Sequence, residues 1–151
     1  MNRKIIPGVI DGEQPLCCLP PAATADQAAR LMRERRVGAI MVVEQGRLTG
    51  IVTERDLVFR LLAEQLDGRA TLLAQIMTRD PETLRPDDSA LAALDKMRAG
   101  HYRHLPVVED GEIAGIVSIR DLYETVRRSL EEELHSAESL IYGEQYGLAS
   151  A

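Results

Sequence analysis

The chain has no tryptophan and a single phenylalanine, and aromatic residues make up only 3% of its 151 positions. Proteins that hold unpaired bases without sequence preference stack them on aromatic rings, so binding of single strands is disfavoured from the start. The only cysteines, Cys17 and Cys18, are adjacent. That spacing suits neither a disulfide framework nor a CxxC metal site, and a reducing cytoplasm fits it best. No apolar run approaches the roughly 20 residues needed to span a bilayer. The opening MNRKIIPGVIDGEQPL is interrupted by Pro7 and Gly8 before it could serve as an export signal. A soluble cytoplasmic protein without membrane contact is expected. Basic residues are also in short supply, 18 against 24 acidic, for a formal charge of −6. Such a surface repels a nucleic-acid backbone, so any anionic partner must be small and locally held. What the chain does have is a hydrophobic content of 45%, drawn mostly from Leu, Val, Ile and Ala. This is enough for one compact domain, or two very small ones sharing a core.

The sequence repeats itself. GIVTERDL at 50–57 returns as GIVSIRDL at 115–122, and the same offset of 65 residues lays Pro21 on Pro86, Met32 on Met97, Val42-Val43-Glu44 on Val107-Val108-Glu109, and Gly46 on Gly111. Each copy is about 60 residues, too small to bury a comfortable core alone, so the two should share an interface.

Within each copy the periodicities change in a fixed order. A short extended piece, 16–19 or 82–84, is followed by a proline. Thr24 or Ser89 can then cap a helix carrying Ala25, Ala28, Ala29 and Met32, or Ala90, Ala93, Leu94 and Met97. Two β-rich runs follow, 39–44 with 47–52 and 104–109 with 112–117, each pair joined by a tight Gln-Gly or Asp-Gly turn. A second helix begins past Thr53 or Ser118. The fold class is therefore α+β, with two β-α-β-β-α motifs packed in pseudo-twofold symmetry and a C-terminal helix. The expected division is a first motif over 4–66, a linker over 67–79, a second motif over 80–131 and a helical tail over 132–151. In the tail, Leu130, Leu134, Ala137 and Ile141 form one stripe that should end at Gly143 and pack on the protein itself or on a second subunit.

Two G-h-h-[ST]-x-x-D motifs after hairpins, HLPVV in the second copy and IMTRDP in the linker together resemble a tandem cystathionine-β-synthase (CBS) domain pair, from about Lys4 to Glu131. The resemblance implies clefts between motifs that bind an adenosine-containing ligand such as AMP, ADP, ATP or S-adenosylmethionine, with no further cofactor. It also implies a homodimeric disc that regulates another, unidentified protein. By the same resemblance, Arg103 and His104, with His101 behind them, face phosphates. Gly38, Ala39, Cys18, Leu19, Thr83 and Leu84 border the adenine.

The residues support a compatible chemistry. A helix start favours phosphate, and the hydroxyl of Thr53 or Ser118 adds a donor there, with Arg55 and Arg120 within reach. Asp56 and Asp121, one turn on, offer acceptors for the two hydroxyls of a ribose. The same Thr-x-x-Asp spacing also makes a capping box, which would only satisfy the helix start. Because Arg103 and His104 stand where the first copy has Gly38 and Ala39, the clefts should be unequal. The preferred site is expected near the second copy, with Asp121→Ala more damaging than Asp56→Ala.

No nucleophile paired with a base and no phosphate-cradling glycine loop is present. His101 and His104 lack a third metal ligand. Neither a catalytic residue nor a metal site is assigned. The segment LVFRLL at 57–62 is too broadly apolar for a half-solvated helix and should be covered by another subunit. The competing expectation is a scaffold with vestigial clefts, docking its partner through residues 130–142.

Overall fold

The computed structural model describes residues 2–149. In chain order the first unit contains β1 (Cys18–Leu19), α1 (Ala25–Arg35), β2 (Ala39–Glu44), β3 (Arg47–Thr53) and α2 (Glu54–Asp56), which continues without a break as wider π-helical turns over Leu57–Leu62. A crossover carries α3 (Leu73–Ile76) and β4 (Thr78–Arg79). The second unit contains α4 (Ala90–Gly100), β5 (His104–Glu109), β6 (Glu112–Ser118) and α5 (Ile119–Ala149).

The local devices recur at the repeat offset. Thr24 and Ser89 cap α1 and α4, accepting the N–H groups of Gln27 at 3.2 Å and Ala92 at 3.0 Å. Both helices stop on a left-handed residue, Arg36 and His101. Each hairpin turns on a pair with positive φ, Gln45-Gly46 and Asp110-Gly111, the twist that two-residue hairpins require. Both hairpins shift register at a bulge, after Val42 and after Val107. β1 pairs in parallel with β2, Leu19 beside Val42. In the second unit that strand shrinks to one parallel bridge, Leu84 beside Val107.

Two hydrophobic cores result, and each is completed by a segment from elsewhere in the chain. Ala28, Met32, Ile40, Val42 and Val52 bury Leu73, Ile76 and Met77 of the crossover. Ala93, Met97, Leu105, Val107, Val117 and Leu122 bury Ile5 and Ile10 from the N-terminal turn. The two closures use the same backbone pattern. Ile5 N–H donates to Asp88 O at 2.8 Å and Ala90 N–H to Arg3 O at 2.8 Å, while Leu73 N–H donates to Ala23 O at 2.8 Å and Ala25 N–H to Thr71 O at 2.9 Å. The repeat units in sequence therefore differ from the packed units in space: residues 4–10, grouped with the first motif, close the second core.

The sheet edges are treated alike. β4 lies against β3, Arg79 beside Gly50, and Gln14 Oε1 accepts the Ile116 N–H of β6 at 2.7 Å. Gly50 lets the segment approach this closely, because a Cβ would overlap Met77 Sδ and lie 3.0 Å from the Thr78 carbonyl.

Two expectations about helices need correction. α5 runs through Gly143 to Ala149, because an exposed glycine weakens a helix by about 1 kcal/mol without ending it when its φ stays negative. Of the two coverings expected for the stripe, its own chain is not one: Leu130 is 58% exposed, Leu134 61% and Ile141 59%. The last two residues of the expected tail lie outside the described residues.

Candidate functional site

A cavity of about 620 Å³ opens between the two units, within the range of roughly 300–1,000 Å³ usual for small-molecule sites. The first unit supplies Gly38, Ile51, Thr53, Glu54, Arg55, Asp56, Val58 and Phe59. The crossover supplies Thr78, Arg79, Asp80, Pro81 and Glu82, and the second unit His101, Tyr102, Arg103, His104 and Leu105. Two apolar patches, Ile51 with Leu105 and Val58 with Phe59, thus share one hollow with cations and acids.

The capping reading of Thr-x-x-Asp is realised in both copies. Thr53 donates its N–H and its hydroxyl to Asp56 Oδ2 at 2.9 and 3.1 Å, and Asp56 N–H donates to Thr53 Oγ at 3.3 Å. Ser118 and Asp121 repeat this at 2.8, 2.9 and 3.2 Å. Glu54 N–H donates to Gly38 O and Ile119 N–H to Arg103 O. The helix starts are therefore largely satisfied from within, and the hydroxyls of Thr53 and Ser118 are committed as donors before any ligand arrives. Each cap consumes one carboxylate oxygen and leaves Oδ1 over. Oδ1 of Asp56 stands 3.7 Å from Arg60 Nε.

Positive charge in the cleft comes from side chains. Arg103 is exposed, and its guanidinium makes no hydrogen bond or ion pair among the described residues. The Arg55 guanidinium lies 5.9 Å from the Phe59 ring centroid, a cation–π distance. His104 is half-buried at the start of β5, paired in register with Ser118. Burial pushes its imidazole below the usual range, the charges of Glu54 and Asp121 oppose that, and Arg103 adds to it. The acids that face His104 come from both copies, one on each side.

Arg103, His104 and His101 share the cleft with Thr53, Arg55 and Asp56, so the expected pairing of second-copy cations with the second-copy acid is corrected. Ser118, Arg120 and Asp121 are not among its walls. The start of β5 in the second unit lies beside the closing helix of the first, where Glu54 and His104 both crowd Gly38. Of the residues expected to border an adenine, only Gly38 lines the cavity. Ala39 and Leu84 are buried in the interior, 5% and 1% exposed. Cys18 and Leu19 form β1, beside β2 in the sheet, and the Thr83 carbonyl accepts Lys96 Nζ at 2.9 Å. Burial, and secondarily Cys17, pushes the Cys18 thiol up, the opposite of what a reactive thiol requires.

The crossover wall and Phe59 carried no role in the sequence reading. IMTRDP was visible as a motif, but which cleft it borders depends on β4 lying along β3.

A CBS domain family model matches residues 1–63 and 73–128. The chain belongs to the CBS domain family. It is 41% identical over 112 residues to the CBS domain-containing protein CBSCBSPB3 of Arabidopsis thaliana, which covers 73% of this chain and 20% of that protein. The chain thus spans about a fifth of the length of that relative. With the CBS domain-containing protein YhcV of Bacillus subtilis it shares 38% identity over 102 residues, 68% of this chain and 72% of the relative. Among solved structures, the CBS domain protein PAE2072 from Pyrobaculum aerophilum, complexed with AMP, superposes with a TM-score of 0.66 at 33% identity, covering 72% of this chain and 84% of that one. No helix among the described residues is long and apolar enough to cross a membrane.

Proposed function

We propose that this chain is a non-catalytic regulatory module that binds an adenine nucleotide in the cleft between its two units. The carrying observation is that Asp56, with one carboxylate oxygen outside its cap, lines the same cavity as Arg103 and His104, a cavity built from both halves. The acid accepts the ribose hydroxyls, and Arg103, His104 and Arg55 take the phosphates. Cations there favour an anionic nucleotide over the sulfonium of S-adenosylmethionine. The AMP complex of the Pyrobaculum aerophilum relative supports the ligand class. A ligand touching both halves biases their relative orientation by its differential affinity for the two arrangements. A partner protein reads that orientation, and a homodimer is the working assembly.

Calorimetric titration with AMP, ADP, ATP and S-adenosylmethionine tests this. Charge-assisted hydrogen bonds contribute about 1.5–3 kcal/mol each, so Asp56→Ala should weaken nucleotide binding at least tenfold, and more than Asp121→Ala does. If none of the four binds folded protein at millimolar concentration, the sensor reading fails. The alternative, a scaffold that docks its partner through α5, draws on the exposed Leu134, Leu140 and Ile141 and would then take its place.

A further inference from the structure

Arg60 lies one helical turn beyond Asp56 and joins that helix to the crossover. Its Nη1 donates to the carbonyls of Ile76 and Met77, both at 3.1 Å, and its Nε is the group 3.7 Å from Asp56 Oδ1. Those carbonyls lie at the C-terminal end of α3, where a cation is favoured. The residues that follow, Thr78 to Glu82, are the crossover wall of the cavity. One guanidinium therefore holds the candidate sugar-binding acid and the facing wall in a single frame. At 3.7 Å it is too far to saturate Oδ1 as an acceptor, so the oxygen keeps capacity for incoming hydroxyls.

The second copy has no such tie. The residue 65 positions on is Thr125, whose hydroxyl donates to the Asp121 backbone carbonyl at 2.9 Å within its own helix. Among the described residues Asp121 has no ion-pair partner. The tie belongs to the unit whose helix start opens on the cavity.

Resting on the nucleotide reading of this cleft, we propose that Arg60 is a positioning residue that fixes Asp56 Oδ1 for the ribose hydroxyls and sets its distance from the crossover wall. A lysine keeps the charge but cannot reproduce a planar fork that spans two carbonyls and a carboxylate.

The test is calorimetric titration of wild type, Arg60→Gln and Arg60→Lys with AMP and with 2′,3′-dideoxy-AMP, which lacks the hydroxyls that Asp56 accepts. Both variants should weaken AMP about tenfold and change dideoxy-AMP by less than about twofold, collapsing the preference between the two ligands. Equal losses for both ligands would reduce Arg60 to a structural tie and overturn the proposal, as would unchanged AMP affinity. If wild type binds AMP and Asp56→Ala weakens it, the cleft reading stands whatever Arg60 does. If wild type binds no AMP, the reading and this proposal fall together.

Discussion

His104 and Glu54 close on one point from the two copies of the repeat: a Cβ placed on Gly38 would lie 3.2 Å from His104 Cε1 and 2.5 Å from Glu54 Oε1. This crowding, with Asp121 and Arg103 also acting on the ring, makes His104 a group through which pH reaches the cleft. Burial dominates and lowers its pKa, so the folded chain binds this proton less readily than the unfolded chain. Stability from this site is full above the unfolded histidine value, near 6.5, and is lost as pH falls from there through the lower folded value. His104→Gln should therefore lose less stability than wild type between about pH 7.5 and 5.5 in urea unfolding; identical profiles would exclude His104. A bound phosphate reverses the preference, so AMP should bind with proton uptake and tighten as pH falls over that range. His104→Gln should diminish both effects, the remainder coming from the phosphate's own second ionisation.

Gly50→Ala forces Met77 and the backbone of Thr78 away from β3. Overpacking of this kind costs about 1–3 kcal/mol, readable as a lower urea midpoint with unchanged slope. The displaced segment is the cavity wall, so AMP affinity should fall as well.

Asp56 has two duties that its variants can separate. Asp56→Ala removes the cap acceptor and should cost about 1 kcal/mol of stability, whereas Asp56→Asn keeps an acceptor for Thr53 and should cost less. Both should weaken AMP, since neither retains the carboxylate charge. Equal stability losses with unaltered affinity would leave Asp56 a cap alone.

The helix after Asp56 shows a second apolar side. Leu57 and Leu61 pack on the first core, but Phe59 is 61% exposed and Leu62 72%. If the chain self-associates over this face, Leu62→Glu should convert a dimer to a monomer in sedimentation equilibrium. A wild-type monomer at micromolar concentration would overturn the dimer.

The repeat made most of the fold legible, because caps, hairpin turns and bulges are local devices and recur wherever their residues do. Thr24 and Ser89, or Gln45-Gly46 and Asp110-Gly111, perform as their sequence patterns require. The site was legible in its ingredients and misread in its pairing. Asp56 and Arg103 line one cavity from different repeat units, and no local pattern reports which unit's strand shares a cavity with which unit's helix. Ala39 and Leu84 were placed at a cleft although, as apolar members of a hairpin strand and of a bridge beside one, they had a core to fill. Phe59 was hidden in an apolar run whose inner and outer sides separate only once the helix is packed.

The exchange of closing segments makes the N-terminus costly to trim. The stretch containing Leu73 to Met77 follows the unit it seals, so that half keeps its lid under any shortening from the front. Loss of Ile5 and Ile10 instead uncovers Leu105, Val107 and Leu122. A deletion of the first dozen residues is thus a lesion in the far half of the polypeptide, and an affinity tag belongs at the other terminus.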